Sequence, residues 1–473
     1  MFVQQFYVPS LGHYSYLIGD TNSGEALVVD PKRDIKDYLK TAQYEGLRIK
    51  FIFETHNHND YVSGSRELAA ATGAPLFAST GSGIHRDFQP VKEGDEIQVG
   101  CLKVRVMATP GHTPEHVSYT VADTTRTDAP ALVLTGGDLL VGSVGRPDLL
   151  GPELGAQLAP KLYDSLHGKI LKLEDYVQVL PTHGAGSSCG NNISTTRTST
   201  IGYEKRFNEA LQQPTQEAFI EFVLREQPAI PAYYSRMRLA NQQGPAVLGK
   251  FPELKALTAG EVQKLTGEDC LLIDTRSPAA FGGGHIAGSY NIGLGGSFTT
   301  WVGSVIGPNK PLIFLLQETT PQKLAEIVTQ LVRIGYEKQL YGYLVGGFEA
   351  WLSLGFPIEH LAQISVQELA GELKQAQPKD QQPGWKLTVL DVRSDMEWAS
   401  GHIEGAFHIP GGELEKKLDQ LALDKEQPLA VICGSGYRSS VAVSILQRHG
   451  FSDLQNTIGG MSAWKAAKLP TTN

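Results

Sequence analysis

Short apolar runs alternating with amphipathic stretches organise this chain. In the first half, residues 26–30, 50–53, 102–108, 131–135 and 177–180 are apolar runs too short for buried helices, and they predict strands. Stretches with helical periodicity lie between them. The pattern predicts mixed α/β sheets with helices outside, up to about residue 245. Residues 225–250, with Pro, Gln and Gly gathered near their ends, read as a connector between the halves.

The second half repeats itself. Asp274-Thr275-Arg276-Ser277 recurs as Asp391-Val392-Arg393-Ser394, and Gly284-His285-Ile286-Ala287-Gly288 as Gly401-His402-Ile403-Glu404-Gly405, both at an offset of 117 residues. Each copy runs on to Gly-Gly-x-x-Ala-Trp, ending at Trp351 and Trp464. Two copies mean a duplicated domain and not a solenoid. Within the second copy, residues 387–391 and 428–433 predict strands, and 439–449 predict a helix closed by Gly450. Such alternation implies a parallel sheet covered by helices.

Composition narrows the classes. A length of 473 residues suggests roughly three domains of about 150 residues each. A net charge of −9 without a Lys/Arg-rich run argues against nucleic acid and anionic membranes as partners. The start, MFVQQFYVPS, lacks the charged and apolar regions of a signal peptide. No apolar stretch approaches the ~20 residues of a membrane span. Four cysteines without paired spacing fit a reducing, cytoplasmic setting.

The chemistry concentrates at strand ends. The string His56-Asn57-His58-Asn59-Asp60-Tyr61 follows the apolar run at 49–53 and puts two imidazoles and a carboxylate into one loop. These are ligands for a borderline metal such as zinc or iron. Thr109-Pro110-Gly111-His112-Thr113, Thr135-Gly136-Gly137-Asp138 and Pro181-Thr182-His183-Gly184 also follow predicted strands. Any one of these is ordinarily a hydrogen-bonded loop. Four converging on one sheet edge predict a metal site.

A second centre is expected at Cys433-Gly434-Ser435-Gly436-Tyr437-Arg438, between a strand and a helix. Glycines let the backbone N–H groups curl inward, and the helix N-terminus adds positive potential. Such a nest favours thiolate and stabilises a persulfide anion. Cys101 and Cys270 sit in apolar runs and read as inert core residues. In the first copy, Leu316 falls opposite Cys433 and Gln317-Glu318-Thr319-Thr320 replaces the cradle, so that copy reads as a structural or docking domain. Such a role is compatible with a homo-oligomer.

In order and sequence, the four metal segments resemble the metallo-β-lactamase superfamily over about residues 1–245, and within it the persulfide dioxygenases. Superfamily hydrolases usually continue His-x-His-x-Asp with a His for a second metal; here Tyr61 stands there. The resemblance implies an αββα sandwich and one Fe(II) per chain, held by His56, His112 and Asp138, with His58, Asp60, Tyr61 and His183 around it. Gly145-Arg146-Pro147-Asp148 resembles the family's Gly-Arg-x-Asp segment, whose Arg supports the site; an ordinary ion pair is the alternative for Arg146 and Asp148. After His183 the family commonly has Asp-Tyr, where this chain reads Gly184-Ala185-Gly186-Ser187-Ser188-Cys189-Gly190, a departure from a glutathione-type pocket. Cys189 reads as a thiol in a Gly-rich loop.

The Cys433 loop, with the upstream Asp-x-Arg-Ser and Gly-His-Ile-x-Gly-Ala segments, resembles rhodanese sulfurtransferases. Related phosphatases use a wider Cys-x5-Arg cradle. The implied organisation is a dioxygenase domain at 1–245, an inactive rhodanese-like domain at 250–360 and an active one at 361–473, both with parallel sheets. The implied function is oxidation of a low-molecular-weight thiol persulfide by O2 to sulfite, joined through Cys433 and Arg438 to thiosulfate formation, as in sulfide detoxification. Two alternatives are a glyoxalase-II-like thioester hydrolase using zinc, and a non-catalytic sulfur carrier or docking protein.

Overall fold

Two six-stranded sheets pack face to face in the first half of the protein. One runs in the order Phe2–Val8, His13–Asp20, Glu25–Val29, Arg48–Phe53, Leu76–Ser79, Gln89–Val91. The other runs Ser199–Thr200, Gln178–Pro181, Leu132–Gly136, Val117–Asp123, Leu102–Ala108, Glu96–Val99. The structure, a computed structural model, describes residues 1–472 apart from 86, 226, 268, 376–386 and 422.

Strand periodicity explains the unbroken apolar runs. Tyr16, Ile18, Leu27 and Phe53 point inward against Val104, Tyr119 and Leu134 of the facing sheet. Their neighbours Leu17, Val28 and Ile52 point outward against Tyr38 and Ala42 of the helix Lys36–Tyr44 and Leu68 of Ser65–Thr72. Val133 and Val179 do the same on the other side, against Ala159 and Leu162 of Pro152–Gly168 and Phe219 of Gln216–Leu224. Strands covered on both faces must be apolar throughout. The result is the expected αββα sandwich. Each fully buried aliphatic or aromatic side chain contributes about 1.5–3 kcal/mol, so register is strongly fixed.

The chain folds as two compact units, Met1–Phe251 with Thr329–Gly335, and Pro252–Val328 with Tyr336–Asn473. The second unit holds both copies of the repeat. Their sheets have the same order, Lys255–Leu257, Leu340–Leu344, Leu312–Leu315, Leu271–Asp274, Tyr290–Asn291 and then Ala362–Ile364, Leu454–Thr457, Leu429–Ile432, Thr388–Asp391, Phe407–His408. All pairings are parallel. The copies touch where the helix Tyr437–Arg448 meets the strand Tyr290–Asn291. Asn291 N–H donates to Ser444 Oγ at 3.1 Å, Ser440 Oγ donates to Asn291 Oδ1 at 2.5 Å, and Tyr437 Oη donates to the Gly293 carbonyl at 3.0 Å.

Three local expectations need amending. The helix after the cysteine loop begins at Tyr437, because Gly436 at φ +99° turns the chain there; it is closed by Gly450 at φ +87°. Residues 225–250 do more than connect, since Tyr234–Gln243 is a helix. Cys101 sits in the turn before Leu102–Ala108, half-buried and outside the core, its thiol pushed up by desolvation and by the Asp20 carboxylate. Cys270 is in the core, as expected.

Candidate functional site

Every metal-type segment leaves a strand at the same edge of the sandwich. Arg48–Phe53 leads to His56, Leu102–Ala108 to His112, Leu132–Gly136 to Asp138 and Gln178–Pro181 to His183. The rings of His56 and His112 lie 5.0 Å apart, and His183 is 5.4 Å from each. All are buried.

The backbone and neighbours set each ring. His112 Nδ1–H donates to the Arg146 carbonyl at 2.9 Å, leaving a lone pair on Nε2. Thr55 Oγ1 donates to Asp30 at 2.8 Å and so accepts from His56 Nδ1–H at 2.9 Å, which leaves the other nitrogen of His56 free. Burial and the neighbouring imidazoles hold both rings well below the ordinary histidine range, in the neutral form that binds metals. Asp138 accepts the His112 backbone N–H at 3.0 Å on Oδ1; burial pushes its carboxyl up. His112 Nε2 and Asp138 Oδ2 are buried without a hydrogen-bond partner. Asp138 Oδ2 lies 3.4 Å from His116 Nδ1. The ligand atoms that gather within 4.8 Å of one another belong to His56, His58 and His183, and to His112, His183 and Cys189. A buried cluster of imidazole nitrogens of this kind suits a metal ion.

The remaining predicted residues surround this set. His58 turns Nε2 to Glu54 at 2.9 Å and Asp30 at 3.2 Å. Burial opposes its charge, but the two carboxylates outweigh it and raise His58 well above the usual value. Its unpartnered Nδ1 faces the pocket, and one ligand atom each from His56, His58 and His183 fit within 4.8 Å of one another. Asp60 and His183 pair at 3.4 Å; against burial, Cys189 and Asp60 raise His183 to about 10, and His183 helps hold Asp60 at about 2. Tyr61 donates to the Asp30 carbonyl at 3.1 Å and packs on His13 at 4.1 Å between ring centres. Arg146 grips Asp148 with Nε at 2.8 Å and Nη2 at 2.7 Å, and donates to the Pro228 carbonyl at 2.5 Å. Cys189 is buried, with its sulfur in a group with His112 and His183.

In the second unit, Cys433 ends the strand Leu429–Ile432. Gly436 N–H donates to its Sγ at 3.1 Å and Ser439 Oγ at 3.4 Å. A Cβ at Gly460 would lie 2.3 Å from the Cys433 carbonyl, so a glycine is required there for the loop to close. Arg438 is held by Glu397, Nη1 to Oε2 and Nη2 to Oε1, both at 2.6 Å. At the same place in the first copy, Leu316 is buried beneath a cavity of about 530 Å³.

Residues 8–126 match the metallo-β-lactamase superfamily, and residues 258–354 and 368–467 each match the rhodanese-like domain. Bovine mitochondrial persulfide dioxygenase ETHE1 is 33% identical over 189 residues, 38% of this chain and 67% of that protein. The crystal structure of a metallo-β-lactamase from Staphylococcus aureus superposes with a TM-score of 0.65 at 33% identity, covering 72% of this chain and 98% of the other. The chain belongs to the metallo-β-lactamase superfamily, with two rhodanese-like domains fused behind it. A hydroxyacylglutathione hydrolase from Cereibacter sphaeroides is also similar, 35% identical over 144 residues, 29% of this chain and 53% of that protein.

Several residues of this superfamily site carry no motif in the sequence. Asp30, in left-handed backbone at φ +50°, is the hub under the pocket, bonded to Thr55, His58 and Thr182. Its position at the end of an apolar run was the available signal. His116, four residues after His112, accepts from Gly137 N–H at 2.9 Å with Nε2 and bonds Thr109 through Nδ1; it buttresses the Asp138 loop. Asn241 and Arg238, on the helix Tyr234–Gln243, clasp the His56–Asp60 loop from outside. No pattern linked them to the metal segments. Among the described residues no helix is long and apolar enough to cross a membrane.

Proposed function

We propose that this protein oxidises a low-molecular-weight thiol persulfide to sulfite at one iron ion and passes sulfane sulfur through Cys433 to form thiosulfate. His56, His112 and Asp138 hold the iron, and the domains run over 1–245, 250–360 and 361–473 in a cytoplasmic enzyme. The observation that carries the reading is Tyr61. Where superfamily hydrolases have a histidine for a second metal, its ring packs on His13 and its hydroxyl is spent on the Asp30 carbonyl. One metal held by two imidazoles and a carboxylate leaves positions for other ligands, as in non-haem iron oxygenases.

Iron, when bound, supplies the activation of O2 beside the substrate sulfur. The chain's residues do the rest. Arg146 and Thr55 fix which nitrogens of His112 and His56 face the ion. The buried Asp30–His58–Glu54 group supports the loop that carries His56. A persulfide, O2 and water give a thiol, sulfite and two protons. At Cys433, a second persulfide leaves its outer sulfur on Sγ. Sulfite then bonds that sulfur, the Sγ–S bond breaks, and thiosulfate departs with the thiolate restored. The Gly436 N–H and the Ser439 hydroxyl support that anion.

The test is metal analysis with O2 uptake and product analysis. One iron per chain and persulfide-dependent O2 uptake are expected; two metals bridged by Asp138 would overturn the reading. The competing reading is thioester hydrolysis with two zincs. It is favoured by Asp60 and His183, which are kept at the second-metal position and face each other at 3.4 Å, and by the similarity to a hydroxyacylglutathione hydrolase.

A further inference from the structure

The duplication supplies an internal control. Both copies keep the Asp–Arg pair after their second strand. Arg276 binds Asp274 with Nε at 2.9 Å and the Gly284 carbonyl at 2.8 Å; Arg393 binds Asp391 with Nε at 3.0 Å and the Gly401 carbonyl at 3.0 Å. A pair retained whether or not a cysteine is present belongs to the fold. Glu397 and Arg438 behave differently. The strand registers Asp274↔Leu315 and Asp391↔Ile432 make Leu316 and Cys433 equivalent. At the same offset Ala280 stands for Glu397 and Pro321 for Arg438. The copy without the cysteine has lost both partners of the ion pair.

Geometry says what the pair does. Glu397 takes both Nη groups of Arg438 at 2.6 Å. The pair lies against the residue after Cys433, since a Cβ at Gly434 would be 2.8 Å from Arg438 Nη2 and 3.7 Å from Glu397 Oε1. The side chains of Glu397 and Arg438 are 38% and 28% exposed, so substrates in solution reach the pair. A free guanidinium there would hold a dianion such as thiosulfate bidentately. A guanidinium whose two Nη groups already face a carboxylate has lost that bidentate face and its net charge, and holds a dianion more weakly.

We propose that Glu397 is a positioning residue for sulfur transfer. By capping Arg438 it keeps a neutral pair beside Cys433, so that the loop takes sulfane sulfur from donors of low charge and releases dianions. This rests on Cys433 as the sulfur carrier. The cap also eases release of thiosulfate once formed, and holds the sulfite acceptor no more tightly, with the overall equilibrium unchanged.

The test compares a dianionic donor, thiosulfate, with a monoanionic one, methanethiosulfonate, using cyanide as acceptor and the full chain. Each donor leaves one sulfur on Cys433, expelling sulfite or methanesulfinate, and cyanide removes it as thiocyanate. Glu397→Gln should raise the ratio of kcat/KM for thiosulfate over methanethiosulfonate roughly fivefold, the scale of an exposed ion pair. The rise should come through a lower KM for thiosulfate and shrink with added salt. Glu397→Ala should show the same rise, and Glu397→Asp should restore the wild-type ratio. An unchanged or lowered ratio in both Gln and Ala variants, or an equal loss with both donors, overturns the proposal. Mass spectrometry of wild-type Cys433 separates the two failures: if neither donor adds a sulfur atom there, the carrier reading itself falls.

Discussion

Asn241 gives the sharpest prediction about the metal pocket. Its amide ties down three backbone groups of the loop carrying His58: Nδ2 donates to the carbonyls of His58 at 2.9 Å and Tyr61 at 2.8 Å, and Oδ1 accepts from Ser63 N–H at 2.9 Å. The side chain is nearly buried, so water cannot replace it freely. Asn241→Ala strands all three groups. A buried polar group left without its partner costs about 1–3 kcal/mol, and the low end for three is about 3 kcal/mol. At about 2–4 °C per kcal/mol for a unit of this size, Tm falls by about 6–12 °C. Calorimetry on the metal-free full chain, compared with wild type, reads the shift. Asn241→Asp keeps the acceptor but cannot donate, so it should be destabilised at least as much. The metal ligands proposed above are untouched, yet iron occupancy at limiting iron should fall because the loop that carries His56 is loosened. A Tm shift under about 2 °C in the alanine variant would refute the clasp, since one lost bond at the low end already predicts that much.

Asp138→Ala should lose iron and O2 uptake while thiosulfate:cyanide sulfur transfer continues. Cys433→Ser should abolish that transfer and shift the product of persulfide oxidation from thiosulfate to sulfite, read by thiol-reactive labelling and chromatography; identical product ratios would mean the sites are uncoupled. Against burial, Arg438 lowers Glu397 from 4.5 to about 2, so the pair's stabilisation is complete above about pH 4.5 and fades as pH falls toward 2. The stability difference between wild type and Glu397→Gln should therefore be flat from neutral pH to about 4.5 and close below it, as followed by unfolding at stepped pH.

Much of this architecture was legible because the pattern and the packing state the same fact. Runs such as 26–30 and 131–135 are continuously apolar because each strand is covered on both faces, and the 117-residue repeat maps onto two sheets of one order. His56, His112, Asp138 and Cys433 announced themselves because reactive side chains at strand ends have a local signature. What supports them does not. Asp30, His116 and Asn241 reach backbone groups 25, 21 and 183 positions away by hydrogen bonds. A lone Asn in a polar helix carries no mark of the loop it will meet. Cys101 was misplaced for a related reason: an apolar run tells which residues prefer the core, and the turn that starts a strand lies just outside it.

The contact between the two rhodanese-like domains bears on how such genes can be rearranged. Asn291 and Gly293 of the first copy bond Ser440, Ser444 and Tyr437, on the helix that opens beside Cys433. A fragment carrying the second copy alone would uncover a buried, polar flank of that helix. Ser440 and Ser444 would face water where they now face a partner. The repeat unit written in the sequence is therefore not a self-contained structural unit, because part of its buried surface is supplied by the other copy. The first copy, with Leu316 where the second has Cys433, walls the helix that opens beside that cysteine.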